Sequence, residues 1–199
     1  LWRSRRVPGR GTANFCSNEY LGLSRHVEVT AAFREAIDRY GVGSGASHLV
    51  TGHSRAHESL EETLAALLGR ERALVYSTGY MANMGVIGTL ADQSAAIVSD
   101  KLNHASLIDG CRLSQANIDA AVSTRLLVTD GVFSMDGDLA PLPELSRAAR
   151  EANAWLIVDD AHGLGVVGAS GHGTLEHFGL GTDDVPVLVG TFGKAFGTF

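Results

Sequence analysis

The fold is indicated most clearly by residues 155–162, Trp155-Leu156-Ile157-Val158-Asp159-Asp160-Ala161-His162. Four successive apolar residues are typical of a strand that is buried on both faces of a parallel sheet. Two carboxylates and one imidazole follow directly, where such a strand would end. A buried carboxylate is costly without a partner. This group therefore predicts an ion pair to a protonated ligand nitrogen, a metal site, or a capping Asp beside a surface His.

Short apolar runs of the same kind recur along the chain, and helical patterns separate most of them. The predicted strands are 73–76, 95–98, 126–128, 155–158 and 187–189. The predicted helices are 27–40, 53–68, 81–90, 105–113 and 144–152. This alternation predicts an α/β fold with a mostly parallel central sheet and helices on both faces.

Polar side chains follow every predicted strand. Because the carboxyl ends of parallel strands meet at one edge, where ligands bind in such folds, we expect these side chains to converge on one site. Any single group could be only a helix cap, but five groups together favour a site. The residues concerned are Ser77, Thr78, Ser99, Asp100, Asn103, His104, Thr129, Asp130, Ser134, Asp159, Asp160, His162, Thr191 and Lys194.

Lys194 is one of two lysines among 16 basic residues, and it lies in a Gly-rich turn after the last predicted strand. A lysine in such a place can form a Schiff base if burial or cationic neighbours lower its pKa. The alternative is an ordinary solvated charge. The position beside the converging strand ends favours the functional interpretation.

The turn Ser77-Thr78-Gly79-Tyr80 opens a predicted helix. Gly79 lets the backbone approach a ligand closely, and free N–H groups at a helix N-terminus suit a phosphate. The same turn could serve only as a helix cap.

Composition and charge disfavour several classes of function. A net charge of -6 without a dense basic stripe is unusual for a nucleic-acid-binding protein. No apolar run reaches the ~18 residues of a membrane span. Residues 1–10 are rich in Arg with no apolar region after them, and Cys16 and Cys111 form no disulfide framework, so we expect a cytoplasmic protein. No metal-ligand cluster stands out near Asp159, so we expect no metal.

Residues 163–168 match the G-x-G-x-x-G pattern of dinucleotide-binding proteins, and Asp183 follows at the matching distance. The context differs from that motif, because Asp159 and His162 intervene between strand and glycines. Residues 169–173 also do not look like the start of a helix. A nucleotide site is therefore disfavoured.

Several of these motifs together resemble the α-oxoamine synthases, which are pyridoxal-phosphate (PLP) enzymes of the aspartate-aminotransferase fold. The resemblance rests on the Thr191-Phe192-Gly193-Lys194 turn, on Asp159 and His162 after their strand, and on the turn at 77–80. Further matching segments are 14–23, 43–52, 103–107, 132–138 and 158–163. Within the family, residues 160–163 and 45–48 are most similar to the members of biotin synthesis.

The resemblance implies a role for each residue around the cofactor ring. Lys194 would hold PLP as a Schiff base and then act as acid and base on the α-carbon of the substrate. Asp159 would pair with the pyridinium nitrogen, which keeps the ring protonated as an electron sink. His162 and Ser134 would contact the region of the phenolic oxygen. His104 would stack on the ring face and contact the substrate.

The resemblance also implies a phosphate site and a substrate site. Gly79 and Tyr80 would cradle the cofactor through their backbone, and Thr191 would bind its phosphate. An arginine near the N-terminus contacts the acyl substrate in the family. Arg3 is the best match, with Arg5 and Arg6 as alternatives.

The reaction implied is a decarboxylating condensation of L-alanine with an acyl thioester, pimeloyl-CoA or its carrier-protein form, by a homodimer. The segment 43–52 would reach across to the second subunit. Sibling reactions are those of 2-amino-3-ketobutyrate ligase, 5-aminolevulinate synthase and serine palmitoyltransferase. A non-catalytic remnant or partner subunit that binds the cofactor weakly or not at all is a further alternative.

The sequence departs from the family in length. Family members are roughly twice as long, with a small C-terminal domain and an arginine for the amino acid carboxylate beyond the lysine. Stretches near 7–13 and 114–124 also look short. We therefore expect a partial sequence, with an N-terminal segment and first helix at 1–40 and an incomplete PLP-binding large domain at 41–199. A true product of this length is expected to be inactive and to fold poorly.

Overall fold

The structure is a computed structural model, and it describes residues 11, 13–114, 116 and 123–198. Its centre is a parallel four-stranded sheet with the strands in chain order. The strands are β1 (Ala95–Ser99), β2 (Thr124–Asp130), β3 (Trp155–Asp159) and β4 (Val187–Val189). The predicted α/β class with a parallel sheet is confirmed.

Six α-helices are found in the described part of the chain. The first and fourth helices have the predicted bounds. The second, third and fifth begin two residues away from the predicted start, and the second and fifth also end one residue early. The helices are α1 (Val27–Tyr40), α2 (Arg55–Leu67), α3 (Gly79–Leu90), α4 (Ala105–Leu113), α5 (Leu142–Glu151) and α6 (Thr174–Phe178).

The continuous apolar run of β3 is explained by two cores, one on each face of the sheet. Successive side chains of a strand point to opposite faces. Leu156 and Val158 accordingly pack with Leu142 of α5 in one core. Ile157 packs in the other core with Ile87 of α3 and Leu107 of α4. All of these side chains are fully buried, so helices cover both faces as predicted.

The predicted strand at 73–76 is wrong. This segment forms no ladder with any neighbour, and Leu74 is 74% exposed. Arg70 anchors the start of the segment by donating a hydrogen bond to the Val185 carbonyl at 2.6 Å. A groove of about 430 Å³ separates the segment from β4. Because a strand exists only through its pairing partner, the apolar run alone did not determine the structure here.

The division at residue 40 stays a prediction. Neither α1 nor α2 has a buried residue, and Phe33 and Ile37 of α1 are about half exposed. No helix within 13–114, 116 and 123–198 has the length and apolar character needed to cross a membrane.

Gly163, the first glycine of the G-x-G-x-x-G segment, packs with two glycines from outside that segment around a buried carboxylate. Asp160 is fully buried, and its Oδ2 accepts a hydrogen bond from the Thr174 amide at 2.8 Å. A side chain on Gly131, Gly163 or Gly173 would overlap the Asp160 carboxylate. The next helix begins only at Thr174, so these glycines pack a loop and do not open a nucleotide-binding helix.

The Gly163→Ala substitution tests this packing. Its Cβ would collide with the Asp160 carboxylate, so we expect the free energy of unfolding to fall by about 1–3 kcal/mol. The control is Gly88→Ala in α3, which meets open space and should raise it by about 0.5–1 kcal/mol. Urea denaturation of the natural full-length polypeptide measures both. Equal stability of Gly163→Ala and wild type would contradict the packing.

Candidate active site

The carboxyl ends of β2, β3 and β4 place two carboxylates side by side. Asp130 pairs with Asp159 in the register of β2 and β3, and Asp159 pairs with Val189 of β4. Both carboxylates are at least 94% buried. Burial, and to a smaller extent the charge of Asp159, raises the pKa of Asp130 to about 7, although the His104 amide donates to its Oδ2 at 2.6 Å.

Lys194 lies at the same edge, in the turn after β4. Its Nζ is 2.8 Å from Nε2 of His162. Burial lowers the pKa of Lys194, while the charges of Asp159 and Asp130 raise it. A half-buried amine that faces two carboxylates is the environment predicted for a lysine with a chemical role.

His162 connects the lysine to the N-terminal part of the chain. Its Nδ1 lies 2.6 Å from the hydroxyl of Tyr20. Burial, followed by the charge of Lys194, lowers the pKa of His162 to about 4. The ring is therefore neutral near pH 7. A Lys194 amine that donates to Nε2 leaves the ring proton on Nδ1, from which it can be donated to the Tyr20 oxygen.

Asp159 is held from two sides. Its Oδ2 accepts a hydrogen bond from Nδ2 of Asn83 at 2.6 Å, and its Oδ1 accepts from the amide of Ala161 at 3.0 Å. The same Asn83 nitrogen donates to Ser106 Oγ at 2.9 Å. Asn83 is only 1% exposed. These contacts fix the orientation of the Asp159 carboxylate, whose negative charge suits a cationic partner.

His104 is the N-cap of α4 and lies at the edge beside Asp130. Asn103 holds it there, because its side-chain amide donates to the Val128 carbonyl and accepts from the Asp130 amide, each at 2.9 Å. His104 Nδ1 lies 2.7 Å from Ser106 Oγ. The imidazole is exposed, and the ring of Tyr80 stands edge-on at 6.4 Å between centroids.

The Ser77–Tyr80 turn and Thr191 come together at the N-terminus of α3. Thr78 caps this helix by accepting a hydrogen bond from the Met81 amide at 3.1 Å. A methyl group on Gly79 would contact the Thr191 side chain at 3.9 Å. The hydroxyl of Tyr80 donates to the carboxylate of Asp109. A twelve-residue helix N-terminus beside a hydroxyl is a favourable place for a phosphate.

Ser134 is not part of this network, and Arg3 cannot be placed relative to it. Ser134 is exposed in the turn closed by the hydrogen bond from the Gly137 amide to the Phe133 carbonyl at 2.8 Å. In the described part of the chain, no hydrogen bond joins it to the other candidate residues. Arg3, with its alternatives Arg5 and Arg6, lies outside the described residues. The roles of Ser134 and Arg3 stay predictions.

Sequence reasoning missed three residues of the site. Tyr20, Asn83 and Ser106 were not singled out. Asp130 was expected at this edge of the sheet but was given no role. A signal existed for Asn83, a polar side chain in the most apolar of the helices. The contact of Tyr20 with His162 joins residues 142 positions apart and leaves no local pattern.

Asp160 gives the fold a pH dependence. Burial raises its pKa from 3.8 to about 6. A carboxyl that holds its proton more tightly when folded contributes stability that is complete below about pH 4 and is lost as pH rises through about 6. We expect Asp160→Asn to lose less unfolding free energy than wild type between pH 4 and pH 6. Urea denaturation at several pH values measures this, with exposed Asp136→Asn as control. Parallel curves for Asp160→Asn and wild type would refute the assignment.

Comparison with known proteins places the chain in a family. The model of aminotransferase class I and II matches residues 10–122 and 115–199. The 8-amino-7-oxononanoate synthase of Methylococcus capsulatus is 61% identical over 209 aligned positions, which cover 97% of this chain and 54% of that protein. The chain thus spans about half the length of the curated relatives it matches.

Solved structures show the same relationship. Serine palmitoyltransferase of Sphingomonas wittichii aligns with a TM-score of 0.84 at 36% identity. A serine palmitoyltransferase variant from S. paucimobilis with bound PLP–myriocin aldimine aligns with a TM-score of 0.83 at 34% identity. Each alignment covers 92% of this chain and 50% of the other. The resemblance to α-oxoamine synthases is confirmed, and the chain belongs to the aminotransferase class I and II family.

Proposed function

We propose that this chain carries the PLP-binding part of an acyltransferase that condenses L-alanine with a pimeloyl thioester, releases carbon dioxide and forms 8-amino-7-oxononanoate in biotin synthesis. The observation that carries the proposal is the half-buried Lys194 amine, 2.8 Å from His162 and facing the charges of Asp159 and Asp130. Residues 41–199 would form the cofactor domain, and 1–40 the segment that precedes it.

The donor set fits PLP. A buried carboxylate, Asp159, suits a protonated ring nitrogen, and a partly desolvated lysine amine suits an aldehyde. The N-terminus of α3 with Gly79 and Tyr80, and the Thr191 hydroxyl nearby, suit a phosphate. When bound, PLP supplies an aldehyde carbon for an amine and a ring that withdraws electrons from the α-carbon.

The residues of this chain would transfer protons and hold the cofactor and the substrate. Lys194 in its neutral form takes the α-proton of the amino acid and later returns a proton to the product carbon. The lowered pKa of Lys194 favours that neutral form. Asp159 would keep a proton on the ring nitrogen of bound PLP through its negative charge. His162 and Ser134 would bind near the phenolic oxygen, and His104 would contact both the cofactor ring and the substrate.

The acyl substrate is assigned from similarity. The 61% identity to an 8-amino-7-oxononanoate synthase exceeds the 36% identity to a serine palmitoyltransferase, which favours alanine and a pimeloyl thioester. Arg3 is proposed to contact the acyl chain. The second candidate is a serine- or glycine-using sibling, favoured by the TM-score of 0.84 to serine palmitoyltransferase. A homodimer with segment 43–52 at its interface is part of the proposal.

Release of carbon dioxide tests the substrate. The natural full-length protein, loaded with PLP, is given carboxyl-labelled L-alanine, glycine or L-serine, each together with either pimeloyl-CoA or palmitoyl-CoA. We expect rapid release of label from L-alanine and little from the other two. Faster release from serine with palmitoyl-CoA would favour the sibling reaction, and no release with any pair would support a role without catalysis.

A further inference from the structure

Three histidines form a cluster outside the candidate active site. The ligand nitrogens of His48, His53 and His57 all lie within 4.8 Å of one another. Their ring centroids are 4.5 to 5.5 Å apart. Among the described residues this is the group of His, Cys, Asp and Glu side chains that comes close enough to share one ion.

A tight turn brings His48 to the other two rings. The segment His48–Gly52 forms one turn of π-helix, in which the amides of Val50 and Gly52 donate to the Ser47 carbonyl at 3.0 and 2.9 Å. A side chain on Gly52 would overlap the Ala46 carbonyl, so the turn needs glycine at this position. The chain therefore doubles back and sets His48 beside the start of α2.

Ser54 fixes the ring of His57. The Ser54 amide donates to Nδ1 of His57 at 3.1 Å, and Ser54 Oγ lies 2.9 Å from the same nitrogen. Nε2 is therefore the nitrogen left for an ion. An ion that displaces the proton of Nε2 leaves the neutral ring with its proton on Nδ1. The hydrogen bond from the Ser54 amide would then be lost, and Ser54 Oγ would accept the Nδ1 proton in its place. Metal-binding imidazoles generally donate their second N–H in this way.

Glu61 places a carboxylate beside His53. Its Oε2 lies 3.7 Å from Nε2 of His53, while its Oε1 accepts a hydrogen bond from the Val75 amide at 2.9 Å. The carboxylate is thus oriented by the backbone and adds negative charge beside the three imidazoles. That charge favours a cation at this position.

We propose that His48, His53 and His57 bind one divalent transition cation of the zinc class. Neutral imidazole is a preferred ligand of such ions, and three imidazoles leave a fourth tetrahedral position for water. Zinc–nitrogen distances of about 2.0–2.1 Å place ligand nitrogens about 3.4 Å apart. His53 is exposed and lies outside the proposed interface segment 43–52, so rotation of its side chain can close the present separation of up to 4.8 Å. The bound ion would link the 48–52 turn to α2 through His48 and His57.

Metal titration of the full-length, PLP-loaded protein tests the proposal. After chelator treatment and desalting, Zn²⁺ is titrated by calorimetry and Co²⁺ by visible absorbance. We expect one strong equivalent per chain, an intense tetrahedral Co²⁺ spectrum, and a rise in Tm with Zn²⁺. Absence of binding to the wild-type protein overturns the proposal.

Three variants locate the site. His48→Gln and His53→Gln remove exposed ligands and are expected to weaken binding at least tenfold and to abolish the Zn²⁺-dependent rise in Tm. His26→Gln removes an exposed histidine outside the cluster and should bind as wild type does. Unchanged binding in both His48→Gln and His53→Gln shows that the ion sits elsewhere and overturns the assignment. Activity is recorded in parallel, and its loss or retention does not enter this decision.

Discussion

Replacing Lys194 by alanine is expected to abolish condensation activity, with a loss of at least about 10⁴-fold in kcat. A positioned proton-transfer group alone contributes about 10²–10⁴-fold, and this substitution also removes the amine that holds the cofactor. The amine lies 2.8 Å from His162 and near two carboxylates. A water molecule that filled the space left by the amine would be a much weaker base and would not restore the proton transfer. The steady-state rate and the absorbance band of lysine-bound PLP should disappear together.

Lys101→Ala is the matched control, because Lys101 is the other lysine of the chain and is exposed after β1. It should keep both the rate and the absorbance band. Survival of the band in Lys194→Ala would show that another group holds the cofactor. Loss of the band in Lys101→Ala alone would show that Lys101, and not Lys194, holds the cofactor.

Asp159→Asn is expected to reduce kcat by about 10²–10³-fold, the size typical of a lost, preorganised electrostatic contact. The asparagine keeps the shape of the side chain and can still accept from the Ala161 amide, but it lacks the charge that holds a proton on a ring nitrogen. Because the new Nδ2 would face the donating Nδ2 of Asn83 and lose that buried hydrogen bond, the free energy of unfolding should fall by about 1–3 kcal/mol. Steady-state kinetics and urea denaturation of the same sample separate the two effects.

Asp136→Asn serves as control for Asp159→Asn, because Asp136 is exposed in the turn after β2. It should leave kcat and stability unchanged. If Asp159→Asn retained wild-type kcat, the role of this carboxylate would be wrong. If it unfolded the protein, Asp159 would act on the fold, as we expect of its neighbour Asp160.

Local patterns were sufficient for the elements that carry their own signal. The helix at 105–113 follows from helical spacing of apolar residues, and β3 follows from its apolar run. The convergence of Asp159, His162 and Lys194 followed from topology, since parallel strands share one carboxyl edge. Predictions from local pattern and from sheet topology do not require knowledge of individual side-chain contacts.

Contacts between distant residues could not be predicted in this way. The Asn83–Asp159 hydrogen bond joins residues 76 positions apart, and it depends on how α3 packs against the sheet. The strand expected at 73–76 failed for the same reason, because its partner is not determined by its own residues. The histidine cluster was missed because it depends on the π-turn at 48–52, whose close approach at Gly52 has no periodic signature.

Reduction of the PLP-loaded full-length protein with borohydride, followed by peptide mass spectrometry, tests the central claim most directly. Reduction converts a cofactor–lysine Schiff base into a stable secondary amine on the residue that formed it. We predict that the phosphopyridoxyl group is found on the peptide that contains Lys194, in close to one copy per chain. Modification of Lys101 in its place, or of neither lysine, would contradict the proposed site.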